Sequence, residues 1–173
     1  YGEDENEIGN EPTLDEYIAN VCDGMDRVRD ALVEDGFLFF NIGDKSNNSG
    51  GAGGDFLKGG ERSNRKPYGK TGKNETGLSG SQLIGVPWRV AFELQRRGWL
   101  LRADVIWNRQ KLRREDPRHV RRPIPQHEYI FIFAKSKKSN KRWNPEHGFE
   151  LGSVWNIDIS DKLARALPVF MAF

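Results

Sequence analysis

The sequence predicts an α/β fold, a sheet with helices on its faces and a long Gly-rich loop. Three observations carry that prediction: an amphipathic helical period between residues 13 and 34, a continuous apolar run at Phe37–Ile42, and a β-branched and aromatic run at Glu128–Ala134. With 173 residues, 36% hydrophobic and 30% charged, the chain has the size and composition of one globular domain or part of a larger one.

The first element is a long helix. Thr13 followed by Glu16 forms a capping box, and Leu14, Ile18, Val21, Met25, Val28 and Leu32 then recur every three or four residues along one face. The pattern runs to about Glu34, where Gly36 stops it; Cys22 and Gly24 weaken the helix slightly. Phe37–Ile42 lacks polar alternation and reads as a strand covered on both faces. It ends in Gly43-Asp44, and ligands of open α/β sheets bind beyond the carboxyl ends of strands, so Asn41, Gly43 and Asp44 stand where a site would form.

Residues 44 to 80 change character. Ten of these 37 residues are Gly and the rest are rich in Ser, Asn and Lys, so the segment cannot bury a core and reads as a mobile loop. Two fragments inside it imitate nucleotide-binding motifs and fail. Gly69-Lys70-Thr71 has Asn64 where a phosphate loop needs Gly, and Gly51-Ala52-Gly53 has Phe56 at the third Gly position of a dinucleotide fingerprint.

A second helix spans about Ser81 to Arg97, with Ile84, Trp88, Ala91, Phe92 and Leu94 as its stripe. Pro87 suits a first turn, so the regular helix starts there, and Gly98 ends it. Trp99–Trp107 becomes apolar at Val105-Ile106-Trp107 and is a second strand; Glu128–Ala134 is the third. Gly152–Ile157 fits a short strand or an ordered loop. Residues 158 to 173, apolar from Leu163 onward with no visible partner, read as a truncated tail. The element order is that of half an α/β sheet rather than a closed fold.

The net charge of +2 conceals a segregation: residues 1 to 35 balance at −10, leaving +12 for the remainder. The positive charge peaks in residues 102 to 122, with eight Lys or Arg against three acids, and in Lys135–Arg142, with five and no acid. Such runs are ordinarily solvated faces; the alternative is a surface for DNA or RNA. One Cys and three scattered His exclude a disulfide scaffold and a structural zinc site, and no run of about 18 apolar residues offers a membrane span.

Several stretches, taken in order, resemble the N4-cytosine and N6-adenine DNA methyltransferases of the permuted, β-type arrangement. They are Ile8-Gly9-Asn10-Glu11-Pro12-Thr13-Leu14-Asp15-Glu16-Tyr17, Gly36 to Asp44 with its Asn-Ile-Gly-Asp ending, Gly85-Val86-Pro87-Trp88-Arg89-Val90-Ala91, and Asp104-Val105-Ile106-Trp107-Asn108. Pro123, His127-Glu128-Tyr129-Ile130, Lys135 and Gly152-Ser153-Val154-Trp155 complete the set, over residues 1 to 157 as a partial methyltransferase domain. The resemblance implies a Rossmann-like sheet in which the third strand runs antiparallel and inserts between the other two. It also implies S-adenosylmethionine as methyl donor, double-stranded DNA as partner, a cognate restriction endonuclease, and a cytoplasmic enzyme of bacterial or phage origin.

The family's Asp/Ser-Pro-Pro-Tyr/Trp motif is expected just before Tyr1, and its Phe-x-Gly-x-Gly cofactor motif beyond the end of the chain. An exocyclic base amine is a poor nucleophile because its lone pair is delocalised into the ring. The family therefore positions the amine through the first motif and stacks an aromatic residue on the flipped base. Without either motif, residues 1 to 173 alone are expected neither to bind the cofactor in the micromolar range nor to transfer methyl. The alternative is a catalytically empty DNA-binding remnant; an unrelated nucleotide-binding α/β enzyme fails for want of a phosphate loop.

By resemblance, Asn41, Gly43 and Asp44, with Trp107 and Asn108 ending the second strand, line the cofactor or base pocket. The plainer reading gives Asn41 and Asp44 a capping role and Trp107 a packing role. His127-Glu128 suits a loop-ordering hydrogen bond better than acid–base catalysis. Arg109, Lys111, Arg113, Arg114, Arg118, Arg121 and Arg122 lie in the basic loop, residues 109 to 126, and are assigned to DNA phosphates, which carry affinity and little sequence information. Base recognition falls either to residues 44 to 80 or to Lys135–Leu151.

Overall fold

The computed structural model describes residues 8–9, 11, 13–47, 78–79, 82–109, 123, 125–141, 152–156 and 170–172. Helix α1 (Leu14–Ala31) starts as the capping pattern requires, the Thr13 hydroxyl accepting from the Glu16 amide at 3.2 Å. It ends earlier than its periodicity suggests, with Leu32 already extended. The segment after the third strand supplies donors to the carbonyls that follow the helix. Lys135 Nζ donates to the Leu32 carbonyl at 2.7 Å, Ser136 Oγ to that of Glu34, and both Ser139 Oγ and the Lys135 amide to that of Gly36.

Strands β1 (Phe37–Asn41), β2 (Leu100–Asn108) and β3 (His127–Ala134) match the three predicted apolar runs. With β4 (Val154–Asn156) and β5 (Phe170–Ala172) they form a mixed sheet in the order β4-β2-β3-β1-β5. β3 lies between β1 and β2 and is antiparallel to both, pairing Asn41 with Ile130 and Trp107 with Glu128. The strand with the longest apolar run, Tyr129–Ala134, thus takes the central place, where both faces of that run are covered. The two readings left open for Gly152–Ile157 resolve to a strand, β4, parallel to β2. The apolar tail is corrected in part: Phe170–Ala172 does have a partner, pairing antiparallel with β1.

Two clusters divide the core by face. On one, Leu38, Phe40, Phe131 and Phe133 pack against Ile18, Val21, Cys22 and Met25 of α1 and against Val90, Ala91 and Leu94 of α2 (Val86–Arg96). On the other, Phe37, Val105, Trp107, Ile130, Ile132 and Ala134 form a second cluster, joined by Phe39 and Trp155, whose rings stack at 6.4 Å. Burial pushes the Cys22 thiol up to about 12, so this lone cysteine stays protonated in the core. Among the described residues no helix is long and apolar enough to cross a membrane.

A polar clamp joins the two helices. Arg97, in the turn after α2, reaches Asp26 of α1 at 2.8 Å as well as Asp23, and Glu93 of its own helix at 2.9 Å. Asp26 also accepts from the Trp99 indole, and Arg29 lies 5.6 Å over the Trp99 ring. Hydrogen bonds from Arg96 and then Arg97 lower the Glu93 carboxyl from its ordinary 4.5 to about 2. A carboxylate depressed by folding contributes stability that is complete above pH 4.5 and is lost as the pH falls toward 2. Acid unfolding followed by circular dichroism should therefore be shallower over that interval in Glu93→Gln, and an identical acid limb would remove the clamp from the account.

Candidate functional site

Because β3 is antiparallel, its first residues lie at the carboxyl edge of β1 and β2, so Asn41, Asn108 and His127-Glu128 share one rim of the sheet. Glu128 and Asn41 project on the face of the second cluster, beside Trp107. The Glu128 carboxylate is divided between two strands. Oε2 accepts from Asn41 Nδ2 at 3.2 Å and Oε1 from Arg109 Nη1 at 2.7 Å. Asn41 Nδ2 also donates to the Tyr129 carbonyl at 2.8 Å, which ties the end of β1 to the start of β3.

Arg109 requires a change from its assignment to DNA phosphates. Its side chain is 11% exposed, and besides Glu128 it donates through Nη2 to the Pro125 carbonyl at 3.2 Å, while its amide donates to the Gln126 carbonyl at 3.0 Å. These bonds close the neck of the basic loop from within, so Arg109 holds the loop rather than facing solvent with it. Lys111, Arg113, Arg114, Arg118, Arg121 and Arg122 lie outside the described residues.

Asp44 takes the capping role, though on a distant element. Its Oδ1 accepts from the amides of Lys45, Gly85 and Val86 at 2.8, 3.0 and 3.1 Å, and the last two begin α2. Gly85 caps that helix in a left-handed conformation, φ 76°, with no cap side chain of its own, so the carboxylate from the end of β1 supplies the missing acceptor. Asp44→Ala should lower stability by about 1–2 kcal/mol in urea unfolding. Asp44→Ser, which keeps an acceptor, should lose less; equal losses would argue against a capping role.

A short antiparallel bridge, Ser46 with Leu83, reinforces this junction, the Asn47 amide donating to the Gln82 carbonyl and the Ile84 amide to that of Lys45. Most of the intervening Gly-rich segment, from residue 48 to residue 77, lies outside the described residues. At Gly43 an added Cβ would meet nothing within 4 Å.

Trp107 is buried, 8% exposed, in the second cluster with Val105 and Ile130, as its packing reading has it. Asn108 donates to Asn156 Oδ1 at 2.8 Å and so fastens β4 to the rim. An aromatic series that the sequence did not single out runs along the helix-covered face: His127 and Trp88 both meet Tyr129 edge-on at 5.4 Å, and Trp88 meets Phe131 at 5.0 Å. Its alternate spacing on β3, residues 127, 129, 131 and 133, was the available signal.

A family model described as DNA methylase matches residues 1–162. The chain is similar to the type II methyltransferase M.SmaI of Serratia marcescens, 43% identical over 141 residues, which is 79% of this chain and 45% of that protein. M.XycI of Xanthomonas campestris pv. cyanopsidis is 34% identical over 89% of this chain and 52% of its own length. M.Cfr9I of Citrobacter freundii is 32% identical over 91% and 53% respectively. The chain thus spans about half the length of these relatives, and no solved structure matches it. With the third strand antiparallel between the other two, and a family match reaching from residue 1 to residue 162, the chain belongs to the DNA methylase family of N6- and N4-directed methyltransferases.

Proposed function

We propose that this protein serves S-adenosylmethionine-dependent methylation of an exocyclic amine, cytosine N4 or adenine N6, in double-stranded DNA, within a restriction–modification system that includes a cognate endonuclease. The observation that carries the reading is the insertion of β3, which brings the ends of three strands to one rim, in a chain whose relatives are named type II methyltransferases. On this reading the sheet is the Rossmann-like one of cytoplasmic bacterial or phage enzymes, and residues 44 to 80 and 109 to 126 are the loops at its working edge.

The chemistry assigned to these residues is positioning. A base turned out of the duplex needs a dry wall and fixed polar contacts before its amine can react. Asn41 and Glu128 supply polar groups at the rim, while Trp107, packed beside them, and Trp155 supply apolar surface that excludes water. The basic loop neutralises phosphates.

For the methyl donor itself the described residues do not form a cradle. Asp44 spends Oδ1 on three backbone amides, Asn41 spends its amide nitrogen on Glu128 and Tyr129, and an added Cβ at Gly43 would meet nothing within 4 Å, so its backbone is not closely enclosed.

The test is transfer of tritiated methyl to duplex DNA by the protein expressed from its complete reading frame, with the modified nucleoside identified by mass. Label in N4-methylcytosine or N6-methyladenine supports the reading. DNA retention without transfer supports a DNA-binding remnant instead, and methylation at a ring carbon would overturn the amine assignment.

A further inference from the structure

We infer that Asn41 is a specificity-determining residue whose carbonyl oxygen, Oδ1, accepts a hydrogen bond from the exocyclic amine of the base to be methylated; this rests on the reading of the rim as the place that receives a DNA base. The chemistry it selects is an amine beside a bare ring nitrogen, the edge that cytosine and adenine share.

The orientation of the Asn41 amide is fixed by its partners. The Tyr129 carbonyl at 2.8 Å and the Glu128 carboxylate at 3.2 Å only accept, so both must face Nδ2 and its two hydrogens. Glu128 is itself held in place, because its other oxygen takes Arg109 Nη1 at 2.7 Å in an ion pair whose side chains are 11% and 25% exposed. Oδ1 is thereby presented away from these acceptors, and among the described residues no donor meets it.

A brace between β1 and β3 accounts for Nδ2 and leaves the carbonyl unexplained. A second open valence lies on the other side of the same carboxylate: Arg109 is 9% exposed, and its Nε is buried with no acceptor among the described residues. Buried polar groups are rarely left in that condition. An open acceptor and an open donor flanking one carboxylate have the polarity that an amine beside a ring nitrogen completes, with the amine on Asn41 and the ring nitrogen toward Arg109. In uracil and hypoxanthine, the oxo counterparts, that polarity is reversed: a carbonyl would face the Asn41 carbonyl, and a ring N–H the guanidinium. Trp107, buried on the same face, sets this edge beside apolar surface, where a mismatched polar contact costs more than it does in water.

The experiment uses the complete protein and duplexes carrying cytosine, uracil, adenine or hypoxanthine at the methylated position, each opposite an abasic site so that no pairing energy differs among them. The amino base found in the transfer product should bind roughly tenfold tighter than its oxo counterpart. Asn41→Ala should bring that ratio close to one while weakening the oxo duplex little. A merely structural role would weaken both duplexes alike and leave the ratio unchanged, and that result would overturn the inference. Should Asn41→Ala fail to fold, the Asn41 side-chain amide resonance of the unsubstituted protein is followed by NMR instead. Deoxycytidine or deoxyadenosine should shift it and deoxyuridine or deoxyinosine should not; equal shifts, or none, would sink the contact. Because the methyl donor also carries adenine, S-adenosylhomocysteine forms a separate arm: a shift with it alone gives the edge to the cofactor and overturns the base contact. If the complete protein transfers no methyl, the proposed function fails on its own, and the nucleoside titration still decides the role of Asn41.

Discussion

Phe131→Ala is expected to lower the stability of the chain by about 3–5 kcal/mol. Phe131 sits at the centre of β3, fully buried, opposite Phe40 on β1 and under the helices. Its ring meets Trp88 edge-on at 5.0 Å and lies between Tyr129 at 5.7 Å and Phe133 at 6.3 Å. Truncation therefore costs the transfer energy of the ring, the cavity it leaves, and three aromatic contacts whose partners are themselves held in place. Domains of this kind are stable by only about 5–15 kcal/mol, so the loss is a large share of the total. Urea unfolding monitored by tryptophan fluorescence measures it. Val154→Ala, on the exposed edge strand β4, is the control and should shift the midpoint by about 0.5 kcal/mol or less. Similar effects at both positions would mean that the helix-covered face is not the main core.

Replacing Arg113, Arg114, Arg121 and Arg122 together by Ala should weaken binding to duplex DNA by roughly two orders of magnitude at 0.1 M salt. If three or four phosphates are neutralised, the log–log salt slope of the unmodified protein is roughly −3, and the variant should approach zero. Sequence-independence is part of the expectation, because phosphate contacts carry affinity and not base identity. Arg109 is the internal reference. Its guanidinium is engaged with Glu128 and Pro125, so Arg109→Lys should leave the salt slope near its original value while disturbing the loop neck. A slope unchanged in the fourfold variant would take the basic loop off the DNA surface; a slope lost in Arg109→Lys would mean that its internal contacts open on binding.

The elements that were legible in the sequence are those whose information is local. The spacing of Ile18, Val21 and Met25 marks the buried side of α1, and the unbroken Phe37–Phe40 run shows that both faces of β1 are covered, as they are. The antiparallel placement of β3 came from the family resemblance, since nothing in Glu128–Ala134 itself specifies direction. Arg109 heads a run of basic residues and is indistinguishable from them in one dimension; only the register that sets Trp107 against Glu128 reveals that it turns inward. Asp44 was hidden for a similar reason, because the amides it caps stand 41 and 42 residues further on. Phe170–Ala172 is an edge strand joined through backbone hydrogen bonds to β1, and such pairing leaves little trace in side-chain pattern. Cys22, taken from the sequence only as a residue that weakens the helix, lies four residues after Ile18 and three before Met25 and is buried beside them.

Both loops at the rim leave the body through closed doorways: Ser46 is bridged to Leu83 at one, and the Arg109 amide is bonded to the Gln126 carbonyl at the other. Those bonds hold the ends of each intervening segment together whatever its length. Doubling a flexible insert then adds only about 0.6 kcal/mol of closure entropy. Either segment can accordingly be exchanged between these junctions at little cost in closure entropy. The same two junctions are where a chimera should be cut.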